Sequence, residues 1–296
     1  MFQLDRYLKE RAALVERALS QVVPEPCGPD GRLLEAMRYS LLGGGKRLRP
    51  ILALAACEAV GGAPQRAIGF ACAVEMIHNY SLIHDDLPCM DNDDLRHGRP
   101  TNHKVYGDAM ATLSGDGLLT DAFKVLARSA SDGVPSAVVL QAVADLADAA
   151  GSAGMVGGQV IDLQSEGKSL SLDELKHLHA KKTGALFLAS VVGGARLGGG
   201  TEPQLARLNQ YARALGLSFQ VVDDLLDVEA TTEQMGKRTG KDQAAGKATF
   251  PSLMGIDKSR QFARDLEREA HDALAEFGPP AEPLRAIATF VVERRQ

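Results

Sequence analysis

Apolar residues in this chain recur three and four positions apart almost throughout, and almost nowhere do they alternate as a half-buried strand requires. Leu4, Tyr7, Leu8, Leu14, Val15 and Leu19 sketch one helical face, and Leu33, Leu34, Met37, Leu41 and Leu42 another. Ala-rich stretches over 51–60, 137–150 and 205–217 point the same way, because Ala and Leu carry the smallest penalty for entering a helix. No Asn-Gly or Asp-Gly pair joins two alternating runs; Asp30-Gly31 and Asp132-Gly133 fall between helical stretches. The pattern predicts an all-α fold.

Breakers divide the helices. Pro24, Pro26, Gly28 and Pro29 close the first, Gly61, Gly62 and Pro64 a later one, and the runs 193–203 and 278–283 read as loops. None is long enough for a domain linker, and no repeat is visible. The expectation is one domain over residues 1–296, a bundle of about ten helices around a central cavity. Gly151, Gly154 and Gly157 read as structural, allowing two helix backbones to approach. Composition narrows the class further. A chain of 296 residues with 45% hydrophobic residues can bury a large core, and its net charge of −5 offers no basic field for nucleic acid. Cys27, Cys57, Cys72 and Cys89 form no CxxC pair, so reduced thiols are expected rather than a disulfide or zinc framework. The first twenty residues mix acids and bases, and no apolar run reaches membrane-spanning length; a cytoplasmic location is the expectation.

Function is read from two aspartate clusters. Five aspartates, Asp85, Asp86, Asp91, Asp93 and Asp94, crowd the ten residues 85–94. Such carboxylates repel one another and are poor helix formers, so the arrangement calls for a cation. Asp85 and Asp86 end a buried-looking helix, at the negative pole of its dipole, and Pro88 lets the chain bring Asp91 back toward Asp85. Further on, Gln220-Val221-Val222-Asp223-Asp224-Leu225-Leu226-Asp227 sets Asp223 and Asp227 on one helical face among apolar residues. Two such clusters look like facing walls of one site. Oxygen donors without Cys or paired His suit a hard cation, and Mg²⁺ characteristically joins one or two carboxylates to substrate phosphates.

Cationic segments supply the counterpart. Gly43-Gly44-Gly45-Lys46-Arg47-Leu48-Arg49-Pro50 is a glycine-rich turn feeding a basic triplet, but the Walker A spacing fails at Ser40 and Arg47. Arg96, Lys181-Lys182-Thr183-Gly184, Gly236-Lys237-Arg238 and Gly246-Lys247 add further positive points. These motifs together resemble the trans-isoprenyl diphosphate synthases of the polyprenyl synthetase family. The segments GGGKRLRP, SLIHDDLPCMDNDDLR, GMVGGQ, KKTGAL, FQVVDDLLD, GKRTGKD and GKATFP carry the likeness in order across residues 43–251. Beyond Ser252 there is little signal.

The resemblance implies the isoprenoid synthase fold and a reaction in which an allylic diphosphate ionises, isopentenyl diphosphate attacks the cation, and a proton leaves. It implies Asp85, Asp91 and Asp223 as ligands of a three-Mg²⁺ cluster, with Asp86, Asp224 and Asp227 orienting metal-bound water. Lys182, Lys237 and Arg96 would clamp the leaving diphosphate, with Lys247 also among the substrate-binding residues. Lys46, Arg49, His78 and the position of His97 would hold isopentenyl diphosphate, and Thr183 and Gln220 would face the cation. One departure stands out: Arg96-His97-Gly98 replaces the family's Arg-Arg-Gly, which implies weaker or pH-dependent isopentenyl diphosphate binding. Tyr80, five positions before Asp85, resembles the bulky floor of bacterial farnesyl synthases, implying a C15 main product with C20 as the alternative. A homodimer is expected from the family alone. Competing readings fare worse. The pairs Glu75/His78 and Glu174/His177 could suggest a di-iron bundle, but that leaves every aspartate and lysine motif unexplained. A terpene cyclase needs no second diphosphate pocket and tends to an aromatic cavity, whereas this chain has 5% aromatics and no Trp. A non-catalytic prenyl synthase subunit is disfavoured because both aspartate motifs are intact.

Overall fold

The computed structural model describes residues 2–131, 133–229 and 247–294. The described chain is helical almost throughout, in the order α1 Leu4–Val22, α2 Gly31–Leu41, α3 Leu48–Ala59, α4 Ile68–Asp85, α5 Asn102–Tyr106, α6 Asp108–Arg128 and α7 Ser136–Ala150. Then come α8 Met155–Ser165, α9 Leu172–His179, α10 Ala185–Gly198, α11 Glu202–Glu229, α12 Phe250–Met254, α13 Ile256–Ala273 and α14 Glu282–Glu293. Twelve of these have eight or more residues, which agrees with the all-α bundle expected.

The two-residue strands Leu95–Arg96 and Arg99–Pro100 pair antiparallel. Their turn residues, His97 at φ 52° and Gly98 at φ 74°, both adopt the left-handed backbone that a tight two-residue hairpin demands. That hairpin corrects the expectation of no paired strands: the signal lay in His97-Gly98 rather than in an Asn-Gly or Asp-Gly pair.

Two apolar clusters make the core. Phe70, Met76 and Ile77 of α4 belong to one, with residues of α1, α2, α6 and α7. Phe187, Tyr211 and Phe250 belong to the other, built on α3, α10, α11, α13 and α14. The Tyr211 hydroxyl donates to the Leu284 carbonyl over 2.7 Å, so the largest buried side chain also has its polar atom matched. Helix α4 is apolar on nearly every face and packs centrally, as a helix without a polar stripe must. Helix α13, by contrast, is amphipathic and covers α11.

Glycines set two close approaches. The run 193–203, expected to be a loop, is helical as far as Gly198. A Cβ on Gly194 would lie 2.1 Å from the Ala53 carbonyl oxygen, so the glycines let α10 lie against α3. Of the series near 151–158, Gly154 and Gly157 face the preceding backbone within their own turn. The contact with another element falls to Gly158, where a Cβ would meet the Lys182 amide nitrogen at 2.3 Å. No described helix is long and apolar enough to cross a membrane.

Candidate active site

Both aspartate clusters lie at the ends of long helices. Asp85 is the last residue of α4, and Asp223 to Asp227 occupy the last two turns of α11. The chain doubles back after Pro88, and the Asp91 amide donates to the Asp85 carbonyl over 2.8 Å, the return expected from the proline. Burial pushes the Asp85 carboxyl up to about 6, with Asp91 and Asp86 adding to the rise and Lys182 and Arg96 opposing it. Crowded carboxylates with raised affinity for a proton are a place where a cation is wanted.

The remaining aspartates have other partners. Asp86 is buried and accepts from the Arg96 guanidinium at 2.5 and 3.1 Å. Arg96 is therefore held against the first motif by a charged pair. Asp224 is also buried; it accepts from the Gln220 amide at 2.9 Å and from the Phe250 backbone N–H at 3.0 Å, tying α11 to α12. These two carboxylates are each engaged with protein donors. Asp223 lies 3.5 Å from an amino nitrogen of Arg294.

Lys182 and Thr183 sit on a π-helical turn, Ala180–Gly184, between α9 and α10. Such wide turns change which way side chains point and concentrate at functional sites. Thr183 Oγ1 donates to the Gln220 side-chain oxygen over 3.2 Å, joining the two residues expected to face the cation. Lys182 and Lys247 converge on one carboxylate, Asp162 of α8, at 2.5 and 3.3 Å. Burial pulls Asp162 upward, but the two lysines outweigh it and hold the carboxyl below the usual range. Asp162 was missed in the sequence, although it stands three residues after the GMVGGQ segment. Lys237 lies outside the described residues.

Three adjoining cavities gather these side chains. One of about 540 Å³ is lined by Gly44, Gly45, Lys46, Arg49, His78 and His97 on its polar side. Here the Arg49 guanidinium donates to His78 Nε2 across 3.3 Å and lies 4.8 Å from the Phe187 ring centre. Burial first, and then Arg49, Arg96 and His97, holds His78 well below its usual value, so its ring is neutral. Burial likewise brings Arg49 down to about 10, with Glu75 and Asp223 resisting. Beneath them, buried Arg47 bonds to Glu16, Glu75 and the Leu41 carbonyl, each at 2.6 Å, and so anchors the glycine loop.

A second cavity, of about 480 Å³, shares Arg49, His78 and Leu82 with the first. It is mostly apolar, with Asp85, Lys182 and Thr183 among its polar residues and Tyr80, Met155, Val156 and Val160 along its walls. The third, about 230 Å³, brings Asp91, Asp223, Gln220, Lys182 and Lys247 together with Asp162. Among the described residues no three metal-ligating side chains converge as a ready-made cage. Both glutamates of the di-iron alternative are committed elsewhere: Glu75 pairs with buried Arg47, and Glu174 forms a capping box with Ser171 at the start of α9, its carboxylate accepting from that backbone N–H at 2.8 Å.

A chain with this fold and these paired cavities has close counterparts. Residues 30–276 match the polyprenyl synthetase family, and the chain belongs to that family. It is 52% identical to the heterodimeric geranylgeranyl pyrophosphate synthase large subunit 1, chloroplastic, of Arabidopsis thaliana, over 99% of this chain and 80% of that protein. It is 50% identical to the chloroplastic geranylgeranyl pyrophosphate synthase of Catharanthus roseus, over 99% and 82% of the two chains. Among solved structures, an FPP/GFPP synthase from Zymomonas mobilis superimposes with a TM-score of 0.88 at 42% identity, covering 98% of each chain. The isoprenoid synthase fold is thereby established, and prenyltransferase activity follows from the family.

Proposed function

We propose that the chain condenses isopentenyl diphosphate with dimethylallyl and geranyl diphosphates and stops mainly at farnesyl diphosphate. The observation that carries this is the junction of the two larger cavities. One is cationic and suited to a diphosphate; the other is apolar, with Asp85 and Lys182 near it, and Arg49, His78 and Leu82 belong to both. An alkene held in the first would face an allylic carbon held in the second. Proximity of that kind turns a bimolecular encounter into an effectively unimolecular step.

In this reading Lys182 and Lys247 leave Asp162 to bind the departing diphosphate as the C1–oxygen bond breaks. Thr183 and Gln220 turn oxygen dipoles toward the cation without being basic enough to trap it. The alkene of isopentenyl diphosphate then forms the new carbon–carbon bond, and the proton lost from the neighbouring carbon passes to the released diphosphate. Asp85, Asp91 and Asp223 would hold Mg²⁺; when bound it neutralises charge on the leaving group as a Lewis acid. EDTA should abolish turnover and Mg²⁺ restore it. Retained turnover in EDTA would remove the metal from this reading.

Tyr80 supports the C15 product. It is 6% exposed, lines the apolar cavity, and lies roughly 7.5 Å along α4 from Asp85. The names of the Arabidopsis and Catharanthus relatives favour a second reading, C20. Product analysis with labelled isopentenyl diphosphate and each allylic primer separates the two. Farnesyl diphosphate should dominate, and Tyr80→Ala should lengthen the product. A wild-type C20 product would transfer the assignment to the second reading. A cytoplasmic homodimer belongs to the same proposal, with light scattering of the purified chain and fractionation as its tests.

A further inference from the structure

Helix α14 ends at Glu293, and Arg294 turns its side chain back into the molecule. That side chain is 6% exposed. Its guanidinium carbon lies 3.9 Å from the centre of the Phe219 ring, and one amino nitrogen donates to the Phe219 carbonyl over 3.0 Å. Stacking fixes the plane of the group while leaving its edge free to donate. Arg294 lines the same 540 Å³ cavity as Lys46, Arg49, His78 and His97. It is near enough to Lys46 that, after burial, its charge is the next cause lowering that ammonium, with Asp223 opposing.

Two further features single it out. The Arg294 Nε is buried and has no hydrogen-bond partner among the described residues. A buried donor without a partner calls for an explanation, and a ligand is one. The contact with Asp223, at 3.5 Å, is long for a charge-assisted hydrogen bond, so the guanidinium is only loosely committed there. The same cavity is lined by the position where the resembled family's motif has a second arginine. Here it is His97, which cannot offer a permanent, two-pronged donor, while the neighbouring Arg96 is bound to Asp86.

We propose that Arg294 binds the diphosphate of isopentenyl diphosphate, supplying from the C-terminal end of the fold the fixed guanidinium that His97 does not. The inference rests on the assignment of this cavity to isopentenyl diphosphate made above. Phe219 serves as the platform that aims it.

Arg294→Gln and Arg294→Lys, each in the native chain and in a His97→Arg background, test the proposal. The readouts are KM for each substrate and calorimetric titration of isopentenyl diphosphate onto the protein in EDTA. Arg294→Gln should weaken isopentenyl diphosphate roughly ten- to a hundredfold, the range for a hydrogen bond to a charged group, with little change in allylic KM. Arg294→Lys should fall between, and the loss should shrink in the His97→Arg background. An unchanged isopentenyl diphosphate affinity in a variant that melts like the native chain overturns the inference. So does an equal rise in both KM values, which would assign Arg294 to the Asp223 side, or an equal loss in both backgrounds. Arg294-dependent binding in a protein that forms no prenyl product would leave this inference standing and sink the proposed function instead. Prenyl product with Arg294-independent binding does the reverse.

Discussion

Asp85 ends a buried helix at the pole where the carbonyl dipoles are negative, and its pKa is raised to about 6 by burial above all. Unfolding returns the carboxyl to an ordinary value near 3.8, so the folded chain binds this proton more tightly. The charge therefore costs stability as pH rises from about 4 through 6, on the order of 2–3 kcal/mol at neutral pH without metal. Asp85→Asn should raise the melting temperature of metal-free protein by a few degrees at pH 7.5, much less at pH 4, and lower turnover by orders of magnitude. A melt showing destabilisation at pH 7.5 would contradict the account. His78 has the opposite sign. Its folded value is depressed, so the unfolded chain takes up a proton first as pH falls through about 6.5, and stability drops there. Nitrogen-15 spectra of labelled histidine should show the His78 ring still neutral at pH 6.5, where an ordinary imidazole is half protonated.

At the scale of elements, the site depends on how closely α8 meets the π-helical turn. The Gly158 position tolerates no side chain, because the nearest atoms are the Lys182 amide nitrogen and Cα rather than a flexible side-chain end. Gly158→Ala should cost roughly 1–3 kcal/mol of stability by overpacking. It should also lower turnover more than stability accounts for, since the displaced turn carries both Lys182 and Thr183. Denaturant titration beside steady-state kinetics checks the pair; a destabilised variant with native turnover would show the turn to be tolerant of movement. Sequence reading was weakest at this scale. A glycine run looks like a loop to any local window, yet Gly194 is helical, and glycine stands there because Ala53, over a hundred residues away, leaves no room for a methyl group. The left-handed pair His97-Gly98 was overlooked because a two-residue strand has no periodicity to detect.

For the molecule as a whole, a buried ion pair joins α1, α3 and α4 under the cationic cavity. Arg47 precedes α3 and bridges Glu16 of α1 and Glu75 of α4, with the Arg47 and Glu75 side chains 1% and 5% exposed. Removing Glu75 leaves the dry Arg47 with only the part-exposed Glu16 as counter-charge, so Glu75→Ala should cost about 3 kcal/mol, the low end for a broken buried pair, measurable by denaturant midpoint. A loss below about 1 kcal/mol would mean that water reaches the pair.

The helical class and the breaks after the first and third helices were legible in the sequence, as was the crowding of aspartates and lysines into short motifs. Each is a local property: spacing along one helix, a proline's missing donor, or like charges dense along a short stretch. The placement of partners was not. Asp162 between Lys182 and Lys247, Asp224 capping Phe250, and Arg294 beside Asp223 join positions far apart in the chain. Periodicity tells which face of a helix is apolar, whereas the identity of the group facing a given side chain depends on packing angles set by the whole core. The sequence by itself determined which charges this protein owns; only the tertiary structure decided which of them neutralise one another and which are left turned toward a cavity.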